Sequence, residues 1–350
     1  MLAALARQTS LYKLRTLFII TLCCVGTKTY PQSSQKPSTD SIPYYLNLDD
    51  YFNLSADLET DFERFTLTGD NFTYDIRPNF DFVDKVGIDY RALSFFLSFT
   101  PSLGVNSDNT LKGKSEHTGF GFSFNTGKMI NHVSYAVAKG FFLENTSDFD
   151  PDFIDGSSAS ILFPELEVRS FRGSHGFKLN PNFSYGAYSA QMARQTRSAG
   201  TFAPGFSYNF YRIKNGSPEG QRSKNFELLF NLPYYYTHVI DQRWYVNIGL
   251  IAGAGMTKTW LTTTINGAEF KSTISSFITR GSAIMGFGYN SKGLFCGFET
   301  KAHQRFQSQG DAVKEEINGF SFRLFVGFHI KAPRFINRTY DKFEARFLDK

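Results

Sequence analysis

The chain is poor in cysteine and tryptophan, with 3 and 2 in 350 residues, and it has no long apolar run. Three cysteines cannot frame a disulfide scaffold. No stretch approaches the roughly 20 apolar residues a spanning helix needs, which removes the helical membrane class. Excess charge is small as well, a formal +5. Much of that excess sits in residues 1–31, which hold Arg7, Lys13, Arg15 and Lys28 and no acid. An apolar run from Leu17 to Val25 follows the first three cations, and small or polar residues follow from Gly26. A basic lead, a short apolar core and a small-residue exit predict a cleaved secretory signal over 1–31. Its removal takes Cys23 and Cys24, leaves Cys296 alone, and leaves 33 bases against 32 acids, a formal +1. A nearly neutral secreted chain has no electrostatic footprint for nucleic acid.

Aromatics are abundant: 39 Phe and 18 Tyr bring the share to 17% beside 20% charged residues. A mean hydropathy of −0.27 at that aromatic content requires apolar and polar residues to be finely interleaved. Residues 32–59 form a polar lead, opening with QSSQKPSTDSIPYY. From residue 60 the pattern has period two. In 320–330 the even positions are Phe320, Phe322, Leu324, Val326, Phe328 and Ile330, and the odd ones are Ser321, Arg323, Phe325, Gly327 and His329. One face of a strand is then apolar throughout. Trp244 to Met256 alternates in the same way, as do segments around 226–234, 283–290, 294–303 and 120–125; weaker candidates cover 71–77, 85–99, 131–142, 166–173, 182–192 and 201–212. Short turns at 125–128, 241–243 and 290–293 alternate with long polar connections at 100–117, 145–165, 214–224 and 307–318. Short turns on one side and long loops on the other predict an all-β fold, a transmembrane antiparallel up-and-down β-barrel of about 12 strands (10–14) over residues 60–330. Strands of roughly 9–11 residues suffice to cross a bilayer. The charged tail 331–350 is expected outside it. Alternation alone does not say whether the apolar face meets lipid or a soluble core. Charged and small residues sharing the other face favour lipid, as do aromatics at strand ends such as Trp244, Tyr289 and Phe320.

Several short motifs carry a resemblance. Tyr74-Asp75-Ile76-Arg77-Pro78-Asn79 is followed by Val86-Gly87-Ile88-Asp89-Tyr90-Arg91 and a Phe-rich strand, then by Asp148-Phe149-Asp150-Pro151-Asp152-Phe153 and Gln195-Thr196-Arg197-Ser198-Ala199-Gly200. Over roughly 60–330 the chain resembles family 4421 of the domains of unknown function, predicted outer-membrane barrels of the Bacteroides group of bacteria. The resemblance implies fold and location, and brings no catalytic residue or ligand.

Four polar-face residues, Glu299, Lys301, Arg323 and Arg280, predict a charged lumen cluster, because charges facing lipid would cost about 2–4 kcal/mol at the midplane. Asp148, Asp150, Asp152 and Asp155 form an acidic loop. As an EF-hand it fails, with Phe153 at the sixth position and Ala159 at the twelfth. His132 and Ser134 share a strand face, the geometry a barrel-borne lipid hydrolase would need, with no partner acid in the pattern. His303 and His329 fall on polar faces. No CxxC, no HExxH and no Gly-rich phosphate loop is present, so no metal or cofactor is expected. The sequence predicts a non-enzymatic outer-membrane barrel, structural or channel-type with a narrow polar lumen. Membrane lipids are its expected partners, and no soluble partner is identifiable from the sequence. A lipid- or surface-acting hydrolase and a loop-mediated adhesion protein are the alternatives.

Overall fold

The structure is a computed structural model that describes residues 42–60, 65–68, 73–100, 108–216, 220–309 and 313–347. The expected signal segment 1–31 lies outside the described residues. The strands, in chain order, are β1 (Tyr45–Asn47), β2 (Tyr51–Glu59), β3 (Phe65–Thr68), β4 (Thr73–Arg77), β5 (Val83–Tyr90), β6 (Leu93–Phe99), β7 (Glu116–Asn125), β8 (Met129–Leu143), β9 (Leu162–Phe177), β10 (Ala193–Gln195), β11 (Ala199–Phe202), β12 (Gly205–Lys214), β13 (Gly220–Val239), β14 (Trp244–Ile265), β15 (Ala268–Asn290), β16 (Leu294–Gln309) and β17 (Val313–Lys331).

Twelve of them close a single antiparallel wall in the order β8-β7-β6-β5-β2-β17-β16-β15-β14-β13-β12-β9, with β9 returning to β8. The faces settle the direction that alternation left open. On β17, Phe320 and Phe328 are 70% and 55% exposed while Phe325 and His329 are 8% and 7%. The apolar face therefore points out, and the polar face points into the barrel. Leu54, Ile88, Leu97, Phe122, Phe230, Leu250 and Met285 carry the same outward band around the wall. An apolar belt of that extent is incompatible with water and matches hydrocarbon, so the wall is a transmembrane barrel.

The wall begins at Tyr51, earlier than the expected residue 60. β2 pairs β17 on one side and β5 on the other, and its outer face is Phe52, Leu54, Ala56 and Leu58 between Asn53, Ser55 and Asp57. The candidate 85–99 is two strands folded about Arg91-Ala92, with Arg91 in the left-handed region at φ 52°. Of the expected long connections 214–224 and 307–318, residues 214, 220–224, 307–309 and 313–318 are strand. β13, β14 and β15 run 20, 22 and 23 residues, beyond what a bilayer requires. The β14–β15 turn is Asn266-Gly267, both at positive φ (50° and 77°), the chemistry of a type I′ hairpin. β3 and β4 form a hairpin whose ladder to the wall is Ile76 and Arg77 on β8, while β3 also packs against β17.

At the end of the short turns, the tail folds back as the helix Arg334–Phe347. Tyr340 packs edge-on to Tyr90 with centroids 5.4 Å apart, in a cluster with Ala332, Phe52 and Ile336. Arg91 stacks over the Tyr340 ring and pairs with Asp341 at 2.6 Å and Glu344 at 3.2 Å. Burial raises the pKa of the Tyr340 hydroxyl. Truncation to Ala removes apolar contact worth about 2 kcal/mol, enough to free the helix but not to open the wall. Limited trypsin digestion of Tyr340→Ala is expected to cut at Arg338 and Lys342 while the barrel band persists. Equal resistance to trypsin in the wild type and the variant would contradict this docking.

Candidate functional site

The connection from β9 to β12 does not run over the surface. Residues 178–198 fold inward from the short-turn end, and wall side chains from distant strands hold them. Asn53 of β2 donates to the Ala190 carbonyl at 3.2 Å. Asn247 of β14 donates to the Tyr188 carbonyl at 3.1 Å. Asn290 of β15 donates to Gln191 Oε1 at 2.8 Å and to the Ala193 carbonyl at 3.2 Å. Ser94 Oγ of β6 reaches Met192 Sδ at 3.7 Å. Because β6 and β14 lie on different sides of the ring, the segment crosses the lumen. The three asparagines are among the most buried polar side chains of the wall, so their donors need these partners.

Locally the segment is built for that place. Ser184 accepts from the Ala187 amide at the start of the short helix Tyr185–Ser189. Gln195, 5% exposed, binds the Ser184 amide and the carbonyls of Asn182 and Arg197. Phe183, Tyr185 and Tyr188 stack against Tyr235 of β13, with centroids 6.5, 5.5 and 4.9 Å away. β10 pairs with β1, so the chain before the barrel is stitched to the plug. Arg197 lies over the Tyr44 ring at 4.2 Å. Lys178 Nζ donates to the Phe183 carbonyl at 2.5 Å, and burial lowers its pKa. The expected strand over 182–192 is therefore a helix and turn. A strand there would leave a second face with nothing to pair with.

Above the plug lies a charged layer. Arg323 of β17 donates from Nε and Nη2 to Asp57 Oδ2 of β2 at 2.8 and 2.7 Å. Lys85 of β5 binds Glu59 at 2.8 Å, and its Nζ lies 3.9 Å from Asp57. Glu299 faces Arg323 in the β16–β17 register, and Lys301 follows it on the same face. Arg280 stands farther along, in register with Arg305. Of the four expected cluster residues, Glu299 and Arg323 come together, while the carboxylates that hold Arg323 are Asp57 and Glu59. A second pair crosses the lumen: Arg305 Nη2 meets Glu227 Oε1 of β13 at 2.5 Å and Gln307 at 2.7 Å. Both pairs bring together groups on polar faces that the chain order keeps far apart.

His132 binds Ser123 Oγ of β7 at 2.8 Å instead of pairing with Ser134, and stacks flat on Phe96. His329 binds Asn53 at 2.7 Å and Asn290 at 3.3 Å, and the His303 ring covers Gly319. Asp148, Asp150, Asp152 and Asp155 are exposed. Asp148 accepts from Asn145, and Asp150 caps the Asp152 amide at 3.0 Å. Among the described residues no group of His, Cys, Asp and Glu is placed to hold a metal ion. Two clefts, of about 880 and 650 Å³, are lined mainly by outward-facing residues of the wall.

A family model described as Domain of unknown function (DUF4421) matches residues 39–335. No curated protein matches the chain. Among solved structures, the outer membrane protease OmpT from Escherichia coli is 8% identical over 84% of this chain and 99% of its own, with a TM-score of 0.33. The beta domain of the Bordetella autotransporter BrkA is 12% identical over 80% and 99%, at 0.35. Ail of Yersinia pestis is 9% identical over 81% and 99%, at 0.20. Likeness at that level says nothing of what this chain binds or does.

Proposed function

This chain belongs to that family of unknown function, and from its own geometry we propose that it is an outer-membrane barrel whose lumen is closed by its own plug. The role is structural or channel-type, with conduction possible only if the 178–198 segment moves. The outward apolar belt supports a membrane location. The short-turn end, where β17 ends and the tail helix docks, is assigned to the periplasm, and the long hairpins to the exterior.

The observation that carries the closed state is the asparagine clamp. Asn53, Asn247 and Asn290 contribute four hydrogen bonds from three strands to one segment. At about 1 kcal/mol net each, the clamp is worth about 4 kcal/mol. A segment held by that much spends very little time out of place. The wild-type protein in a planar bilayer is expected to give no steady current, and Asn53→Ala/Asn247→Ala/Asn290→Ala to give discrete openings. A steady wild-type current would overturn the closed reading. Identical gel mobility before and after boiling would overturn the membrane barrel itself. A hydrolase would need a nucleophile open to substrate, whereas Ser123 and His132 are half-buried inside the wall.

A further inference from the structure

The outer face of the wall is not uniformly apolar. On β9, β12, β13 and β14, toward the end of the long hairpins, a cross-strand row reads Arg169, Arg212, Lys224 and Trp260. The row nearer the membrane reads Phe171, Phe210, Phe226 and Lys258, and the two phenyl rings of Phe210 and Phe226 stack with centroids 4.5 Å apart. Arg222 and Lys271 stand just beyond, facing each other across Thr262. With Lys214, which stands in register with Glu167 and Arg222, seven cations thus share one exposed patch with two carboxylates. Glu167 is spent on Arg169 at 2.7 Å, and Glu269 on Arg222 at 2.5 Å and Lys271 at 3.4 Å. Elsewhere on the outer wall the same end is different in kind: β7 presents Glu116 and Thr118, and β16 presents Ala302, Gln304 and Phe306. Between the basic strands the surface forms the 880 Å³ cleft, floored by Phe171 and Phe210 and rimmed by Arg212, Lys224 and Trp260.

Height decides what such a patch can meet. Trp244 marks the short-turn edge of the belt on β14. At about 3.3 Å per residue and a tilt of about 40°, Lys258 lies about 35 Å above it, roughly 10 Å past a hydrocarbon band of about 25 Å. That is the depth of lipid headgroups. Cations inside hydrocarbon would be expelled, and cations in bulk water would have no reason to sit over stacked phenyl rings. Lys258 itself lies 5.2 Å from the Trp260 ring, the pairing of an interfacial aromatic with a cation.

We propose that this patch binds the phosphate groups of an outer-leaflet lipid, with Arg212, Lys224 and Lys258 on the phosphate and the Phe171–Phe210–Phe226 row against its acyl chains. Guanidinium and ammonium groups suit phosphate oxygens, and the phenyl row continues the belt directly beneath them. The proposal rests on the outer-membrane reading, because only that placement puts the patch in a leaflet carrying phosphorylated glycolipid.

The test is retention of lipid by the full-length protein purified in detergent, measured by native mass spectrometry. The probes are bis-phosphorylated lipid A and the same lipid with its phosphates removed. The wild type is expected to retain the phosphorylated form at least about tenfold better, and Arg212→Ala/Lys224→Ala to lose that preference. Arg212→Lys/Lys224→Arg, which keeps both charges, should preserve it. Millimolar inorganic phosphate should not displace the lipid; displacement would assign the patch to free phosphate and overturn the lipid proposal. Equal retention of the two lipids by the wild type would overturn it without any variant, so misfolding of the double mutant cannot hide the answer. Boiling-dependent gel mobility is read on the same samples. If it is absent the membrane reading falls with the proposal, and if it is present with no phosphate preference only the proposal falls.

Discussion

Asp57→Ala is expected to lower the unfolding free energy of the barrel by about 3–5 kcal/mol, the loss typical when one member of a buried ion pair is removed. The Asp57 side chain is 1% exposed and carries two hydrogen bonds from one guanidinium. Its removal leaves Arg323 and Lys85 with Glu59, which lies 3.4 and 2.8 Å from them, and with Glu299 in register with Arg323. Urea titration in lipid vesicles, followed by tryptophan emission, measures the change. Asp57→Ala/Arg323→Met takes away both charges together and should recover most of the loss, since replacing a buried pair with apolar groups is often close to neutral. A double variant no better than the single one would mean that the pair is not what holds these strands.

Gly140→Ala is expected to have an effect of similar size for a different reason. Gly140 sits at the irregularity between Lys139 and Phe141 where β8 meets β9, with φ at 80°. A methyl group there would be strained by its backbone angle and would run into the Lys114 carbonyl. The same carbonyl neighbourhood is already tied down: Ser115 Oγ donates to the Gly140 carbonyl at 2.7 Å and accepts from the Asn79 amide at 2.7 Å. Neither side can move aside freely, so a loss of about 3 kcal/mol or more follows. Urea midpoints compared at equal slope read it directly. A midpoint within error of the wild type would show that this seam relaxes.

The strands inside the bilayer were legible because lipid and lumen impose opposite chemistry on alternate residues. Phe320 to Ile330 and Trp244 to Met256 keep an unbroken apolar outer face, with Phe325, Tyr245 and Ile251 the apolar or aromatic exceptions on the inner one. Beyond the bilayer both faces of a hairpin meet water, so the rule lapses, and 307–318, with Lys314, Glu315 and Glu316, reads as a loop although 307–309 and 313–318 are strand. One signal there was available: Asn266-Gly267 is a hairpin turn by composition alone. β2 escaped because its outward residues, Phe52, Leu54, Ala56 and Leu58, follow directly on the polar lead and alternate with Asn, Ser and Asp as if part of it. With β2 unrecognised, Asp57 and Glu59 could not be matched to Arg323, and Glu299 and Lys301 were the acid and base on the polar face of the strand expected beside it. The plug left only a weak alternation over 182–192, which pointed to a strand where the chain forms a helix and turn. Its direction is set by asparagines scattered over β2, β14 and β15, each unremarkable in its own strand.

The Asp57–Arg323 contact also bears on the order of events in folding. Every other neighbouring pair in the closed wall joins strands consecutive within that wall along the chain, whereas β2 and β17 join its two extremes. Their contact spans 266 positions, so it closes by far the largest loop and must wait until β17 exists. Topology makes this seam the slowest to form, and until then the barrel is a curled sheet with two open edges. A charged residue facing inward on each edge disfavours pairing out of register, where it would meet lipid, and the one alignment that neutralises both closes the wall.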